Sequence, residues 1–393
     1  MISKKSIFKL MIILVSFPLI FHCKSKEKDD YLEDVSYNQL EHIDKANIDK
    51  GKLFEQGYIL NIKELKRIKL DTSHEGFIVL FGDIKLYQNN FYVVDRASSG
   101  INVYKLNGEY QKTINITPAP KKGCSYSNLL QTNRKTFLLK NARQSEIIEF
   151  DSLGNVQKKF VENDEKVEIA PDALDFIETE TGLEVYSGIF QWQENLEDVL
   201  TKTLIVGKFD NDGKLVNQFI KHDPIYSKYN LFGFQPCCFK IWDNKLFLVE
   251  QALPYVRVFS LDGEPLYRFG TTGLHMLPIE KRPKGRMPID RLHKFLSNHT
   301  FYDDISFINK IKGYNKPLIS IVYNNPDLIE DNERETKFYL MLYTPDGEIL
   351  YNDIEIPGPI FQITKDSNLL ILLELAPGNF VVGLFQLEMV KGI

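Results

Sequence analysis

Residues 91–114 read FYVVDRASSGINVYKLNGEYQKTI, and this stretch holds two strand-like apolar runs, a turn at Asn107-Gly108 and a third run. Asn-Gly between alternating runs predicts a two-residue β-hairpin turn with positive φ at both central residues. The same hairpin recurs four times, with turn glycines at Gly154, Gly213, Gly263 and Gly347. In four of the five copies, Asn or Asp precedes the glycine. The chain is therefore a repeat of β-hairpin units.

Further strand-like segments precede each hairpin, which gives each unit the three or four strands of a propeller blade. A sixth unit, at residues 359–390, has only three strands. The missing outer strand is predicted upstream of the first unit, in the segment YILNIKELKRIKLD that begins at Tyr58. This pairing closes the ring and removes an open sheet edge. Residues 56–393 then form one all-β, six-bladed β-propeller with about 56 residues per blade.

The composition excludes several classes of protein. The chain has 393 residues, 43% hydrophobic and 26% charged, which argues against extensive disorder, collagen-like repeats and a multi-span membrane protein. There are 48 Lys and Arg against 53 Asp and Glu, a net charge of −5, which argues against a general nucleic-acid binder.

The N-terminus predicts export. Lys4, Lys5 and Lys9 precede an apolar run at residues 10–21, which is too short to span a bilayer and is typical of a signal peptide. Cys23 follows, and the junction resembles a bacterial lipoprotein signal, which implies lipidation of Cys23. Removing residues 1–22 takes away three lysines and no acid, so the net charge falls from −5 to −8. Residues 23–55 are predicted to be a polar tether.

The blade stretch quoted above is close to the NHL-type blade pattern. The layout of signal, spacer and six units resembles the six-bladed propeller lipoproteins of Bacteroidota over residues 56–393. Lys28-Asp29-Asp30 resembles the charged export signal of surface lipoproteins in that group. The resemblance implies the fold and an outer-membrane location on the periplasmic or surface side. It implies no activity, because propellers carry unrelated functions.

Two long connections interrupt the repeats, one after Ile220 and a basic one at about residues 271–302. In the second, Pro288 is predicted in the first turn of a helix with an apolar face at Ile289, Leu292, Phe295 and Leu296. Both join an outer strand to the next inner strand, so they should rise from one face of the disc on neighbouring blades. Since functional variation concentrates in loops, this face is the candidate binding surface. Its candidate binding residues are Arg282, Arg286, Arg291, Tyr229, Phe234 and Tyr302.

Catalytic and metal sites are weakly indicated. Cys124, Cys237 and Cys238 favour buried thiols, with a bridge from Cys124 or within the adjacent pair as alternatives. Acidic residues in or near inner strands could hold calcium or cap strand ends; they are Asp83, Asp172, Asp303 and Asp304. Asp95 is expected to stabilise its own blade hairpin. The histidines lack the spacing of a helical zinc site, and no nucleophile elbow or phosphate-binding glycine loop occurs.

The sequence therefore predicts a non-enzymatic, envelope-anchored propeller lipoprotein. It would act as a monomer and recognise a protein, peptide or glycan on its loop-bearing face, with no nucleic-acid contact and with the lipid as its only membrane contact. No catalytic residue, metal ligand or cofactor is assigned, although calcium is left open. The alternative is a propeller hydrolase or lactonase that uses a divalent metal at the channel mouth. Convergent carboxylates would favour the alternative, and an exposed basic or aromatic patch would favour the binder.

Overall fold

The structure, a computed structural model, describes residues 40, 43, 45, 48–73, 78, 80–96, 100–118, 125–161, 167–180, 182–191, 193, 195–231, 237–282, 288, 291, 295, 298–328, 334–376 and 379–392. These residues form six four-stranded antiparallel sheets, so the predicted six-bladed β-propeller is confirmed. No helix in the described part of the chain is long and apolar enough to cross a membrane.

The first three blades use consecutive strands. The first blade has β2 (Phe81–Tyr87), β3 (Asn90–Asp95), β4 (Gly100–Lys105) and β5 (Tyr110–Asn115). The second has β6 (Tyr126–Gln131), β7 (Phe137–Asn141), β8 (Glu146–Phe150) and β9 (Val156–Val161). The third has β10 (Val167–Glu178), β11 (Leu183–Gln191), β12 (Leu204–Phe209) and β13 (Leu215–Lys221).

The other three blades follow the same order except at the closure. The fourth blade has β14 (Cys237–Trp242), β15 (Lys245–Glu250), β16 (Val256–Ser260) and β17 (Pro265–Phe269). The fifth has β18 (Phe301–Ile308), β19 (Leu318–Leu328), β20 (Arg334–Tyr343) and β21 (Ile349–Ile356). The sixth has β22 (Ile360–Ile363), β23 (Asn368–Ala376), β24 (Asn379–Lys391) and, as its outer strand, β1 (Tyr58–Leu70). Short helices are α1 (Lys52–Glu55), α2 (Leu196–Lys202) and α3 (Pro224–Tyr229), with a 3-10 turn at Ala142–Gln144.

The N-terminal strand closes the ring. β1 pairs antiparallel with β24 from Tyr58 opposite Lys391 to Leu70 opposite Phe380, with one bulge between Glu64 and Lys66. The inner strands β2, β6, β10, β14, β18 and β22 contact one another in sequence and back to β2. The strand predicted at Tyr58 therefore completes the sixth blade.

The repeated turns differ from the predicted type. Gly108 has φ of +90°, but Asn107 is not among the residues with positive φ. The Gly108 N–H donates to the Lys105 carbonyl at 2.8 Å, and the register shifts by one residue beside the turn. This is a type I turn followed by a left-handed glycine and a bulge, which needs positive φ only at the glycine. The other copies have the same bond, at Gly154, Gly213, Gly263 and Gly347.

The turn glycines also have a second role, which the sequence pattern does not reveal. A Cβ at Gly154 would lie 2.1 Å from the carbonyl oxygen of Asn115, at the end of the outer strand of the preceding blade. Gly213 lies similarly close to the Lys159 carbonyl, and Gly108 to that of Lys69. The turn of each of these blades is thus packed directly on the backbone of the blade before it, where no side chain fits.

Polar side chains tie neighbouring blades together near their inner strands. Asp83 accepts the Leu129 N–H of the second blade at 2.8 Å, and Asp175 accepts the Ile241 N–H of the fourth blade at 2.8 Å. Lys140, with no exposed surface, donates to the carbonyls of Ala170 and Ala173 at 2.6 and 2.7 Å. Gln362 accepts the Leu86 N–H and so joins the sixth blade to the first.

Replacing Lys140 with methionine should reduce the free energy of unfolding by about 2 kcal/mol, because two buried carbonyls lose a charged donor. Chemical denaturation measures this loss. Lys105→Met is the matched control, because Lys105 is exposed and pairs with Glu109 at the surface. The control should change stability by less than about 0.5 kcal/mol. Equal effects of the two variants would contradict a stabilising role for the blade-to-blade bonds.

The described parts of the long connections form a layer on one face of the disc. In antiparallel four-stranded blades, outer-to-inner connections and second-to-third strand connections emerge on the same side. We define the loop layer as Leu40, α2, α3 and residues 250–255, 270–282 and 298–300. Its apolar side chains form one cluster with the fourth and fifth blades; from the loop layer they include Leu200, Ile225, Tyr226, Leu253, Met276 and Ile279.

The described part of the predicted tether packs against the propeller. Leu40 has no exposed surface, Ile48 is 9% exposed and Leu53 is 6% exposed. The Leu40 carbonyl accepts the Ile279 N–H at 2.9 Å. Isolated apolar residues in a polar stretch thus mark docking points here. The predicted signal peptide, the lipidation site Cys23 and the tether as far as residue 39 lie outside the described residues.

Candidate functional site

The structure separates the predicted binding residues into buried and exposed groups. Tyr229 and Tyr302 are each 2% exposed, and Arg282 is 4% exposed. These three side chains lie inside the loop layer and the blade beneath it, so ligand contact through them would need the layer to open. Arg291 is exposed. Arg291 and the half-buried Phe295 both have helical backbone conformation. Arg286 and Phe234 lie outside the described residues. Binding at all six positions stays a prediction.

The two insertions meet on one face, as the sequence predicts. The Arg282 N–H donates to the Tyr229 carbonyl at 3.0 Å, which joins the connection after the fourth blade to the connection after the third. The helix α3 begins where Asp223 caps the Ile225 N–H at 3.0 Å and Pro224 occupies the first turn. These local signals fix the position of a helix in a segment that the repeat pattern identifies only as a long connection.

A buried ion cluster anchors this face to the fourth blade. Glu250, at the end of β15, lies 2.5 Å from Arg257 Nη2 and 2.8 Å from His222 Nδ1. It also accepts the Asp223 N–H that precedes α3. Burial opposes ionisation, but Arg257 and His222 hold the pKa of Glu250 below its ordinary value. The cluster therefore keeps an ionised carboxylate under the loop layer.

Apart from α2, which exposes Glu197 and Lys202 and half-buries Asp198, the loop layer and its flanks expose mainly positive charge. Lys228 in the last turn of α3, Lys281 and Arg291 are all exposed, with Glu280 as an exposed acid between them. By sequence, residues 271–300 carry six Lys and Arg against two acids, Glu280 and Asp290. A basic surface on an acidic chain favours an acidic partner.

One histidine of the loop layer is held by the fifth blade. His275 lies over Tyr339, with ring centroids 4.3 Å apart and planes at 7°. Its Nδ1 is 3.3 Å from Oδ2 of Asp353. Asp353 lies at a bulge of β21 and has φ of +59°, a left-handed conformation that is unusual for a residue with a side chain. The sequence gives no signal for this pair, because its members are 78 residues apart.

The channel is lined by charges of both signs. Asp83 and Lys85 form an ion pair of 3.1 Å on β2. Lys240 on β14 lies half-buried between Asp175 on β10 and Asp304 on β18. Burial lowers the pKa of Lys240, but the field of these carboxylates outweighs it and the net shift is upward. Burial likewise raises the pKa values of Asp175 and Asp304, against the opposing effect of Lys240.

The channel carboxylates are largely engaged by the protein. Asp175 accepts the N–H groups of Phe176 and Ile241, and Asp83 accepts those of Ile84 and Leu129. Asp304 accepts the Ser306 hydroxyl at 2.8 Å. Within the described ranges, no group of three or more His, Cys, Asp or Glu side chains is placed to hold a metal ion. The described side chains therefore offer no ligand set for calcium. The side chain of Asp172 is not among the described ones.

The remaining candidates have structural positions. Asp95 accepts the Leu80 N–H at 3.0 Å, which confirms that it stabilises its blade hairpin. Cys237 is buried and Cys238 half-buried, and neither is in a disulfide. The Cys238 thiol donates to the Asp303 carbonyl at 2.8 Å, across the boundary between the fourth and fifth blades. Cys124 lies outside the described residues.

Comparison with known proteins identifies the fold. No protein-family model matches the chain, and no curated protein matches it in sequence. A DUF4221-family protein from Bacteroides vulgatus is similar in structure, with a TM-score of 0.65 and 12% identity over 85% of this chain and 100% of that one. The six-bladed fold of the Bacteroidota type is confirmed. A protein from Bacteroides fragilis, described as exported, has a TM-score of 0.49 and 10% identity over 84% of this chain and 96% of that one.

Virginiamycin B lyase from Staphylococcus aureus is a more distant structural match. Its TM-score is 0.41 and its identity is 11%, over 84% of this chain and 99% of that chain. The likeness to the DUF4221-family protein bears on the fold alone, and identities this low carry no statement about activity.

Proposed function

We propose that this propeller is an exported, lipid-anchored binding protein that recognises an acidic protein or peptide through its loop layer. The observation that carries the proposal is the ordered layer itself. Connections of the third and fourth blades share one apolar cluster with Leu40, and this cluster holds Lys228 and Lys281 outward on a fixed support. Such a rigid surface loses little entropy when a partner docks.

A glycan is the other candidate partner, and the buried rings disfavour it. Three tyrosines of this region leave almost no ring face for stacking on a sugar: Tyr226 has no exposed surface, and Tyr229 and Tyr302 have 2% each. Tyr255, also in the loop layer, is half-buried. Carboxylates of a polypeptide need only the exposed cations. A protein or peptide partner is therefore the preferred form of the proposal.

The enzymatic alternative draws support from the convergent channel carboxylates. Against it, Asp83 and Asp175 are used as blade-to-blade acceptors, and Lys85 and Lys240 offset their charge. This arrangement favours a structural role. Calcium titration followed by thermal denaturation tests the alternative. A rise in Tm that EDTA reverses would favour a metal-dependent hydrolase or lactonase.

Charge reversal of Lys228, Lys281 and Arg291 to glutamate should weaken binding of a fluorescent poly-glutamate peptide by at least about tenfold, because like charges at the surface then repel. Fluorescence anisotropy of the full mature chain measures the change. The matched control reverses Lys63, Lys66 and Lys69, which are exposed on β1 and away from the loop layer. It alters net charge equally and should change affinity by less than about threefold. Equal loss in both triple variants would mean that only net charge matters, and the proposed surface would be wrong.

The proposed anchor has its own test. Metabolic labelling with a fatty-acid analogue should mark the wild-type chain and leave Cys23→Ser unmarked, because acylation needs the thiol. The variant should also leave the membrane fraction, since a lipid is the proposed attachment. A labelled Cys23→Ser chain would contradict lipidation at this residue.

A further inference from the structure

His275 is the one described loop-layer imidazole whose ring is both oriented by the protein and open to solvent. Its side chain is 51% exposed, while the side chain of its partner Asp353 is fully buried. By contrast, His222 is buried against Glu250, and His299 is buried with Nδ1 against the Phe295 carbonyl. Burial lowers the pKa of His299, which favours its neutral form.

Asp353 fixes the orientation of the imidazole. Its Oδ2 accepts the Tyr323 hydroxyl at 2.5 Å and the backbone N–H of His275 at 2.9 Å, and it lies 3.3 Å from His275 Nδ1. A carboxylate beside Nδ1 selects the tautomer with the proton on that nitrogen. Nε2, which has no hydrogen-bond partner among the described residues, then accepts in the neutral ring and donates in the charged ring.

The ring is also held from below. It stacks on Tyr339, which stacks on Tyr323 with centroids 5.2 Å apart, and Tyr323 contacts Tyr302 at 5.4 Å. Gly273 makes the approach possible, because a Cβ there would lie 2.4 Å from the Tyr323 hydroxyl oxygen. The ring therefore presents Nε2 with little rotational freedom, which reduces the entropic cost of a contact.

The contacts that anchor the insertion at position 275 are made by the backbone and do not require an imidazole there. The backbone N–H of His275 already bonds to Asp353, and the His275 carbonyl accepts the side-chain amide of Asn325. These bonds would be the same with any residue at position 275. Oδ1 of Asp353 is buried with no hydrogen-bond partner, so this carboxylate gains from a positive charge beside it. The imidazolium form of His275 supplies that charge.

We propose that His275 is a pH-responsive contact of the loop layer, which donates from Nε2 to a carboxylate of an acidic polypeptide partner when the imidazole is protonated. The inference rests on the proposed function and adds a named residue and a pH dependence to it. Affinity for the partner should rise as the pH falls, because only the protonated ring can donate from Nε2.

Among the surrounding groups, the carboxyl of Asp353 is the nearest other source of such a dependence. Burial raises the pKa values of Tyr302, Tyr323 and Tyr343, so these hydroxyls stay neutral. Asp353 is the acid in direct contact with the ring; burial raises its pKa, against the lowering effects of Tyr323 and His275. The titratable groups beside the pair are Tyr302 from β18, Tyr323 from β19, and Tyr339 and Tyr343 from β20. Asp49 from the N-terminal segment acts on Tyr343.

Anisotropy with the poly-glutamate peptide tests the proposal on the full mature chain. Between about pH 7.5 and about pH 5.5, wild-type affinity should rise about tenfold, since one charge-assisted hydrogen bond is added. His275→Gln keeps a polar side chain and should bind as weakly at the lower pH as at the higher. Lys281→Gln is the control and should weaken binding by a similar factor at both pH values, because this substitution leaves His275 and Asp353 in place.

Three results would overturn the proposal in distinguishable ways. A pH slope in His275→Gln equal to that of wild type overturns the role of His275 and leaves the proposed function standing. Absence of poly-glutamate binding at every pH overturns both. A slope that appears with polygalacturonate and not with poly-glutamate overturns the polypeptide partner. Independently of any ligand, the imidazole NMR signal that disappears in His275→Gln should report a proton on Nδ1, and Asp353→Asn should abolish that preference.

Discussion

Alanine at Gly154 should lower the free energy of unfolding by about 3 kcal/mol, as the sum of a left-handed backbone penalty and a steric overlap. Gly154 has φ of +92°, and its added Cβ would lie 2.1 Å from the Asn115 carbonyl oxygen. Because the obstructing atom belongs to the backbone, no side chain can move aside to relieve the overlap. Chemical denaturation followed by circular dichroism measures the loss.

Gly57→Ala separates the two contributions. Gly57 has φ of +77°, but nothing lies within 4 Å of the position that an added Cβ would take. The free energy of unfolding of Gly57→Ala should therefore fall by only about 1 kcal/mol, which is the backbone conformational penalty alone. Similar losses at Gly154 and Gly57 would show that the contact between blades is not tight enough to matter.

Replacing Glu250 with alanine should lower the free energy of unfolding by about 3 kcal/mol, because it leaves Arg257 and His222 without their buried acceptor. The Glu250 side chain is 1% exposed and that of Arg257 is 17% exposed, so water replaces the lost contacts poorly. The control is Glu348→Ala, which breaks an ion pair with Lys52 in which both side chains are about half exposed. That variant should change stability by less than about 0.5 kcal/mol.

The contribution of Glu250 should depend on pH in a defined direction. Its pKa in the folded protein is lowered, so ionised Glu250 stabilises the fold above the pKa of the unfolded chain. This stability is lost as the pH falls through the folded-state pKa. The difference between wild type and Glu250→Ala should therefore shrink below about pH 4, the ordinary range for glutamate. A difference that stays constant with pH would contradict an ionised Glu250.

The sequence predicted the ring well because its evidence is periodic. Each turn glycine marks one blade, and the lone strand at Tyr58 had only one open edge to occupy. It did not predict the turn type, since Asn107-Gly108 suits both a two-residue turn and a type I turn with a left-handed glycine. The geometry of that turn is decided by the neighbouring backbone, which no local pattern contains.

Side-chain environment was predicted less well than strand position. Aromatic or basic character in or beside long loops marks Tyr229, Tyr302 and Arg282 as binding candidates, but the insertions pack on one another and bury them. Burial of a loop residue depends on contacts such as that of Arg282 with Tyr229, made between separate connections. The His275–Asp353 pair was missed for the same reason, because a bulge in a distant strand places Asp353 beside the ring.

The pairing of β1 with β24 also constrains how the protein is made. β1 can pair with β24 only after β24 has been synthesised, so the ring cannot close while residues 58–391 are still being made. Any product that stops before residue 379 leaves both β1 and β23 with unpaired edges. The ring therefore closes only after β24 is complete. A shortened chain stays exposed to proteases and to aggregation until it is removed.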